Sequence, residues 1–183
     1  MFLIAGLGNI GQEYELTRHN IGFMVIDFMT KNLSTSTIKK SNFNADVLKS
    51  GYNIFVKPKT YMNNSGQSIV TIKDYYKIEN ENIIVIHDDL DLPFGTVKFK
   101  LGGSHGGHNG LKSLDAHIGK EYLRIRIGIG KPQNKAEVVH HVLSNFSKEE
   151  LNKLEDIIPH TLNAIESLKT ESLNEVKSKY TLK

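Results

Sequence analysis

The stretch that decides the fold is IIVIHDDLDLP, residues 83–93, in which four aliphatic residues run directly into ionisable ones. All four residues of Ile83–Ile86 are β-branched, and polar residues border them on both sides, which predicts a strand buried on both faces. In open α/β sheets, functional groups lie where such strands end. The acidic segment His87–Asp91 is therefore a candidate functional edge of the sheet.

Outward from this strand, strand-like and helix-like patterns alternate along the chain. Apolar residues at helical spacing predict helices over Ile21–Met29 and Ser68–Tyr76. A capping box, Ser147-x-x-Glu150, precedes a longer helical stripe in which Pro159 is expected to cause a kink. The other predicted strands are Phe2–Ala5, Asp46–Leu48, Ile54–Val56, Val97–Lys100 and Leu123–Ile129. This order predicts an α/β protein whose mixed sheet is covered by helices.

Length and composition narrow the class of protein. The 183 residues contain no linker rich in Pro, Gly or Ser, so residues 1–183 are expected to form a single domain. No apolar run approaches the ~18 residues of a membrane-spanning helix, and no signal peptide is recognisable, so a cytoplasmic protein without membrane contact is expected. The absence of cysteine excludes disulfides and thiolate catalysis. The net charge of +3 permits an anionic partner without requiring one.

The segment Gly6–Gly11 reads GLGNIG, which matches the glycine pattern of dinucleotide-binding loops. Such a loop needs a helix that opens at its third glycine and an acidic residue about 20 positions later, at the end of the next strand. The residues after Gly11 are polar and aperiodic, and Asp27 falls inside a predicted helix. This missing context disfavours nicotinamide binding.

Three polar segments border the predicted elements. Thr17–Asn20 carries His19 just before a helix, where a histidine is either solvated or catalytic and Asn20 is a candidate N-cap. Lys57–Gly66 follows a strand and is a polar loop before the next helix. The clustered carboxylates within residues 88–91 repel one another, which suggests a metal, a buried histidine partner or a solvated turn.

Two further segments are candidates for ligand contact. Gly102–Gly110 contains five glycines, which allow close backbone approach to a substrate, together with His105 and His108. These histidines could also bind zinc if the carboxylates at 88–91 completed the ligand set. Lys98 and Lys100 point to the same side of a predicted strand, and Arg126 is placed likewise on another. They form either a phosphate clamp or a solvated face.

Taken together and in this order, the motifs resemble those of the bacterial peptidyl-tRNA hydrolase family. The resemblance spans nearly the whole chain and rests on GLGN, YxxTRHNxGF, KPxTYMNxSG, HDDLDLPFG, KxKLGGSHGGHNGLKS and RIRIGIGKP. Two positions depart from the commoner pattern, with Ile10 where many members have proline and Asp89 where many have glutamate. The region from Ser147 onward resembles the family in helical character more than in motif.

The resemblance implies a site and a reaction. His19 would be the catalytic base that activates water, and Asp88 would orient and support it. The resemblance also implies substrate or tRNA contacts for Asn9, Tyr14, Tyr61, Asn63, Lys98, Lys100, His108, Asn109 and Arg126. The implied substrate is peptidyl-tRNA, and the implied protein is a monomer with a twisted mixed sheet and neither cofactor nor metal.

Two other classes of function stay open at this point. One is a metal-dependent hydrolase built from His105, His108 and the carboxylates of residues 88–91, which a chelator would inactivate. The other is an RNA-binding module that recognises tRNA ends without cleaving them, which only a turnover measurement distinguishes from an enzyme.

Overall fold

The protein is an α/β structure of seven strands and six α-helices, and the computed structural model describes residues 1–183. The strands are β1 (Phe2–Gly6), β2 (Ser36–Thr37), β3 (Ala45–Ser50), β4 (Asn53–Pro58), β5 (Ile83–Asp89), β6 (Val97–Leu101) and β7 (Leu123–Gly128). The helices are α1 (Ile21–Thr30), α2 (Ser65–Tyr76), α3 (Asn109–Ile118), α4 (Val138–Leu143), α5 (Lys148–Leu168) and α6 (Leu173–Tyr180). The predicted fold class, a mixed sheet flanked by helices, is confirmed.

All seven strands form one sheet in the order β2-β3-β4-β1-β5-β7-β6. The four central strands β4, β1, β5 and β7 are mutually parallel, and β2, β3 and β6 add antiparallel edges. Because parallel strands end at the same edge, the loops after β4, β1 and β5 lie side by side. This edge carries the candidate site.

Helices cover both faces of the sheet, which explains why the central strands are almost continuously apolar. On the first face, side chains such as Ile84 and Ile86 pack with residues of α1 and α5. On the second face, Ile83 and Val85 pack with residues of α2 and α3. At the β6–β7 end, the second face carries Lys98, Lys100, Arg124 and Arg126, because these residues alternate with the apolar ones of the first face.

The first two glycines of the GLGNIG segment serve close packing against α1. A Cβ atom on Gly6 would lie 2.1 Å from the carbonyl oxygen of Gly22, and one on Gly8 would lie 2.7 Å from the ring of Phe23. A single 3-10 turn, Gln12–Tyr14, follows the motif instead of the α-helix that a dinucleotide loop requires. The dinucleotide interpretation is therefore wrong.

Two predicted element boundaries are wrong by three residues each. β5 continues to Asp89, so Asp88 lies inside the strand and pairs with Ile127 instead of following the strand end. α2 begins three residues earlier than predicted, at Ser65. The capping box of Ser147 is confirmed, and α5 continues on both sides of Pro159 without a break.

The two ends of the chain occupy different places in the sheet. β1 lies in its centre, between β4 and β5. Near the other end, Leu182 forms a bridge with Val97, in which each main-chain N–H donates to the other residue's carbonyl oxygen at 3.0 Å. This bridge covers part of the outer edge of β6. None of the helices combines the length and apolar character that crossing a bilayer requires.

Candidate active site

The carboxyl edge of the sheet brings together residues from distant parts of the sequence. Asn9 follows β1, Tyr61 and Asn63 follow β4, and Asp88 lies near the end of β5. His19 belongs to a 3-10 turn, Arg18–Asn20, that leads into α1. These elements therefore converge on one place, although their residues are up to 79 positions apart in the chain.

A histidine–aspartate pair forms the centre of the site. Nδ1 of His19 lies 2.8 Å from Oδ2 of Asp88, and both side chains are nearly inaccessible, with 11% and 2% exposed. Because an ionised carboxylate only accepts hydrogen bonds, Nδ1 of His19 must donate. In the neutral ring, the lone pair is then on Nε2, and Nε2 makes no hydrogen bond within the protein. The pair therefore presents a base to the site.

A second histidine shares the same carboxylate. Nδ1 of His108 accepts hydrogen bonds from the main-chain N–H groups of Gly110 and Leu111, so the imidazole caps the N-terminus of α3. The proton of the neutral ring must then lie on Nε2, which donates to Oδ1 of Asp88 at 2.8 Å. Asp88 is thus held by two imidazole donors, one on each oxygen.

The environment shifts the pKa values of these groups. Burial disfavours protonated His19, but the charge of Asp88 and its hydrogen bond outweigh burial and raise the pKa of His19. Burial would raise the pKa of Asp88, yet its interactions with His19 and His108 hold that pKa well below the usual range. The adjacent His87 is fully enclosed, and burial lowers its pKa to about 4, so it stays neutral.

Asn9 is held from three directions. Its main-chain N–H donates to Oδ1 of Asn20 at 2.8 Å, and its carbonyl oxygen accepts from Nδ2 of Asn20 at 2.9 Å. Oδ1 of Asn9 accepts from the main-chain N–H of Met62 at 2.8 Å. Asn20 occupies the N-cap position of α1 without a capping side-chain bond, which corrects the predicted capping role. Only the Nδ2 group of Asn9 is left for a ligand.

The main chain is strained next to this contact. Tyr61 has φ 58° and ψ 159°, a combination that only glycine adopts readily. Such a conformation costs about 1–3 kcal/mol and persists only where surrounding contacts determine it. Here the next residue, Met62, is buried and donates its N–H to Asn9. The strain is therefore localised where the β4 loop meets Asn9.

A cavity of about 300 Å³ opens beside the His19–Asp88 pair. Its wall includes valines of α4, the glycine-rich loop, and the charged residues Lys100, Arg124 and Arg126. Arg126 donates from Nε to Oδ2 of Asp89 at 2.8 Å, which leaves its two terminal nitrogens without partners. Lys98, directly opposite Arg126 in the sheet register, and Lys100 form no ion pair.

The glycine-rich loop is anchored by Arg124, a residue whose role the sequence did not reveal. The Arg124 side chain is 2% exposed and donates to the carbonyl oxygens of Gly103 and Ser104, at 3.1 and 2.9 Å. It also pairs with Asp115 of α3 at 3.1 Å, and Asp115 in turn accepts from the hydroxyl of Tyr122. This buried network fixes the loop relative to α3 and β7.

The predicted site residues fall into two groups. Those that line the cavity are His19, Asp88, Lys100, His108, Asn109 and Arg126. Asn9, Tyr61 and Asn63 follow β1 and β4, and Lys98 lies on the same face of the sheet as Lys100 and Arg126 without lining the cavity. Tyr14 is half-buried on the turn Gln12–Tyr14, where its carbonyl oxygen accepts from Thr17, and it does not line the cavity. Arg18, Asn20 and Arg124 are the supporting residues that the sequence reasoning missed.

The structure does not assemble the metal ligands that the sequence suggested. His19, Asp88 and His108 offer ligand atoms within 4.8 Å of one another. However, Nδ1 of His19 and Nε2 of His108 each donate a proton to Asp88. Nδ1 of His105 accepts from Gly107 within its own loop, and Asp91 pairs with Lys131. The expected set of His105, His108 and the 88–91 carboxylates is not assembled.

The protein is an α/β enzyme of the hydrolase class, as its family shows, and a histidine–aspartate pair lies at the carboxyl edge of its sheet. The chain belongs to the peptidyl-tRNA hydrolase family, whose sequence profile matches residues 3–183. The peptidyl-tRNA hydrolase of Aliarcobacter butzleri is 73% identical over the full length of both chains, and that of a Sulfurovum species is 56% identical over 100% of this chain and 97% of the relative.

A crystal structure supports the same assignment. The peptidyl-tRNA hydrolase of Acinetobacter baumannii superimposes with a TM-score of 0.92 at 35% sequence identity, over 98% of this chain and 94% of that chain. The family and the fold predicted from the motifs are therefore confirmed.

Proposed function

We propose that the chain hydrolyses the ester bond between the peptide and the tRNA in peptidyl-tRNA, with His19 as general base and Asp88 as its support. The observation that carries this proposal is the 2.8 Å contact between Nδ1 of His19 and Asp88, which leaves Nε2 as a free base. Membership of the family supports the substrate class. The released tRNA would become available for further translation.

The chemistry follows from the nature of the bond. An ester has a better leaving group than an amide, so a water molecule activated by a base can attack it without a covalent nucleophile. Nε2 of His19 would take a proton from water while the water oxygen bonds to the ester carbon. When the tetrahedral intermediate collapses, the carbon–oxygen bond to the ribose breaks, and the ribose oxygen takes the proton back from the imidazolium.

Asp88 and the amide side chains would support this reaction. The carboxylate keeps the His19 proton on Nδ1 and stabilises the imidazolium that forms. Amide groups of Asn9, Asn63 and Asn109 are candidate donors to the peptide backbone and to the developing oxyanion. Lys98, Lys100 and Arg126 would contact tRNA phosphates, and Tyr14 and Tyr61 are proposed aromatic contacts.

The experiment that tests the proposal is hydrolysis of N-acetylated aminoacyl-tRNA by the purified protein. We expect release of free tRNA, undiminished by EDTA, because the ring nitrogens that a metal would need already donate to Asp88. Tight tRNA binding without turnover would support the RNA-binding module instead. Loss of activity in EDTA, restored by zinc, would support a metal hydrolase.

Asn9→Asp should reduce the preference for N-blocked substrates. The change keeps an acceptor for the Met62 N–H but replaces the free Nδ2 donor by a negative oxygen, which would repel a peptide carbonyl and attract a free α-ammonium. We expect the ratio of kcat/KM for blocked over unblocked aminoacyl-tRNA to fall about five- to tenfold, the worth of one hydrogen bond. Asn64→Asp, exposed in the same loop, is the control. An unchanged ratio would remove Asn9 from this role.

Lys98→Ala and Arg126→Ala should weaken binding of all tRNAs nearly alike. If each side chain neutralises one phosphate, each loss lowers the salt slope of log K by roughly 0.7–0.9. Hydrolysis of a minimal ester without the tRNA body should be spared, because phosphate contacts position the RNA. Lys153→Ala on α5 is the control, since its side chain lies on the other side of the sheet. Equal losses on both substrates would show that tRNA binds elsewhere.

A further inference from the structure

Arg18 is the arginine of the TRHN segment and directly precedes His19. Its side chain is only 14% exposed. Nη1 donates to the carbonyl oxygen of His141 in α4 at 3.3 Å, and Nη2 donates to Oε1 of Glu150 in the first turn of α5 at 3.0 Å. One guanidinium therefore joins the turn that carries His19 to two helices more than 120 residues away.

The main chain adds to the same connection. The N–H of Arg18 donates to the carbonyl oxygen of Ser144 at 3.0 Å, and the N–H of Phe146 donates to the carbonyl oxygen of Leu16 at 3.0 Å. Thr17 and Asn145 form an antiparallel bridge between these bonds. The segment before His19 is thus paired like a short strand with the α4–α5 junction.

α4 forms one wall of the cavity, and His141 ties it to the end of β7. Val138, Val139 and Val142 of this six-residue helix line the cavity. Nε2 of His141 lies 3.1 Å from the carbonyl oxygens of Ile129 and Gly130, so the ring nitrogen is protonated and donates to both. The main-chain carbonyl oxygen of His141 accepts from Arg18, so this one residue contacts both the end of β7 and the turn that carries His19.

We propose that Arg18 is a positioning residue that fixes His19 relative to the α4 wall of the cavity. This inference rests on the proposed function, since it matters for catalysis only if His19 is the base. A three-residue 3-10 turn has poor hydrogen-bond geometry of its own, so its orientation depends on external contacts. The planar guanidinium binds two acceptors at fixed angles, which a lysine ammonium on a flexible chain does not reproduce.

Arg18→Lys keeps the charge and loses the fixed geometry. We expect kcat on N-acetylated aminoacyl-tRNA to fall about 10–10²-fold, because a shift of ~1 Å in a catalytic group has this effect, while KM changes little. The proton resonance of the His19 Nδ1–H group, recorded without substrate, should shift or broaden. A purely structural role would lower the thermal unfolding temperature and leave both kcat of the folded protein and this resonance unchanged, which would overturn the proposal.

Glu150→Gln tests the ion pair separately. Glutamine can still accept from the N–H of Ser147, so the capping box of α5 is kept while the charge opposite Arg18 is removed. We expect a smaller loss of kcat than for Arg18→Lys, and none for Glu149→Gln, whose carboxylate is exposed and pairs only with Lys153. Equal effects of the two glutamine variants would contradict the proposal. If wild-type protein shows no turnover, the proposed function fails, and the His19 resonance still decides whether Arg18 positions the ring.

Discussion

His19→Ala should lower turnover of N-acetylated aminoacyl-tRNA by about 10²–10⁴-fold, the usual contribution of a positioned general base. The reason is that Nε2 of His19 is the basic nitrogen left free beside the cavity, while Nδ1 is bound to Asp88. The tRNA body would contact the basic face of β6 and β7, so binding of tRNA should barely change. Single-turnover hydrolysis and a binding titration measure the two effects.

Controls separate catalysis from folding in this experiment. Alanine removes one of two donors to the buried Asp88 carboxylate and is expected to cost stability as well as activity. His19→Asn is the second variant, because its amide can donate to Asp88 yet is no base. His140→Ala, exposed on α4, is the matched control and should behave as wild type. Near-normal turnover by folded His19→Asn would refute the assignment of the base.

Asp88→Asn should lower kcat by about 10⁴-fold, as when a buried carboxylate that orients a catalytic histidine becomes an amide. An asparagine offers one acceptor and one donor group, whereas Asp88 accepts from two histidines. His108 keeps its proton on Nε2 because its Nδ1 caps α3, so Nε2 would donate to the side-chain oxygen of the new asparagine. The amide NH₂ group then faces Nδ1 of His19 and forces that proton onto Nε2, which is the wrong tautomer for a base.

The same variant should change the pH dependence of kcat/KM. Hydrolysis requires neutral His19, so activity rises with pH as the ring loses its proton, and the raised pKa places this rise above that of an ordinary histidine. Without the charge of Asp88, burial is left to lower the pKa, and the rise moves to lower pH. Asp91→Asn is the control, because Asp91 is exposed. If kcat falls further in Asp89→Asn than in Asp88→Asn, Asp89 and not Asp88 is the carboxylate that supports His19.

Local patterns in the sequence were enough to predict much of the fold. The apolar run Ile83–Ile86 and the capping box at Ser147 each reflect forces that act within a few residues, and both are present in the structure. The extension of β5 to Asp89 could not be predicted in this way. Asp88 and Asp89 are stabilised there by pairing with β7 and by His19 and Arg126, contacts that local propensity does not contain.

The site was predictable as a set of residues but not as an arrangement of atoms. His19 and Asp88 are 69 positions apart, and their pairing came from family motifs, not from spacing. Which nitrogen of His108 carries the proton depends on the N-terminus of α3, and the availability of Asn9 depends on Asn20 and Met62. Likewise, no residue pattern predicts that Tyr61 adopts a positive φ, a main-chain conformation suited to glycine.

The central position of β1 has a consequence for how the chain folds during its own synthesis. β1 is synthesised before its partners β4 and β5, which follow some 50 and 80 residues later, and the edge of β6 is covered only when Leu182 has been added. Such non-local pairing gives a high contact order and slow folding, because long loops must close before contacts form. A chain cut short by interrupted translation therefore lacks a complete sheet. The protein proposed to clear the products of aborted translation would itself become active only after β7, the last strand of its sheet along the chain, has been synthesised.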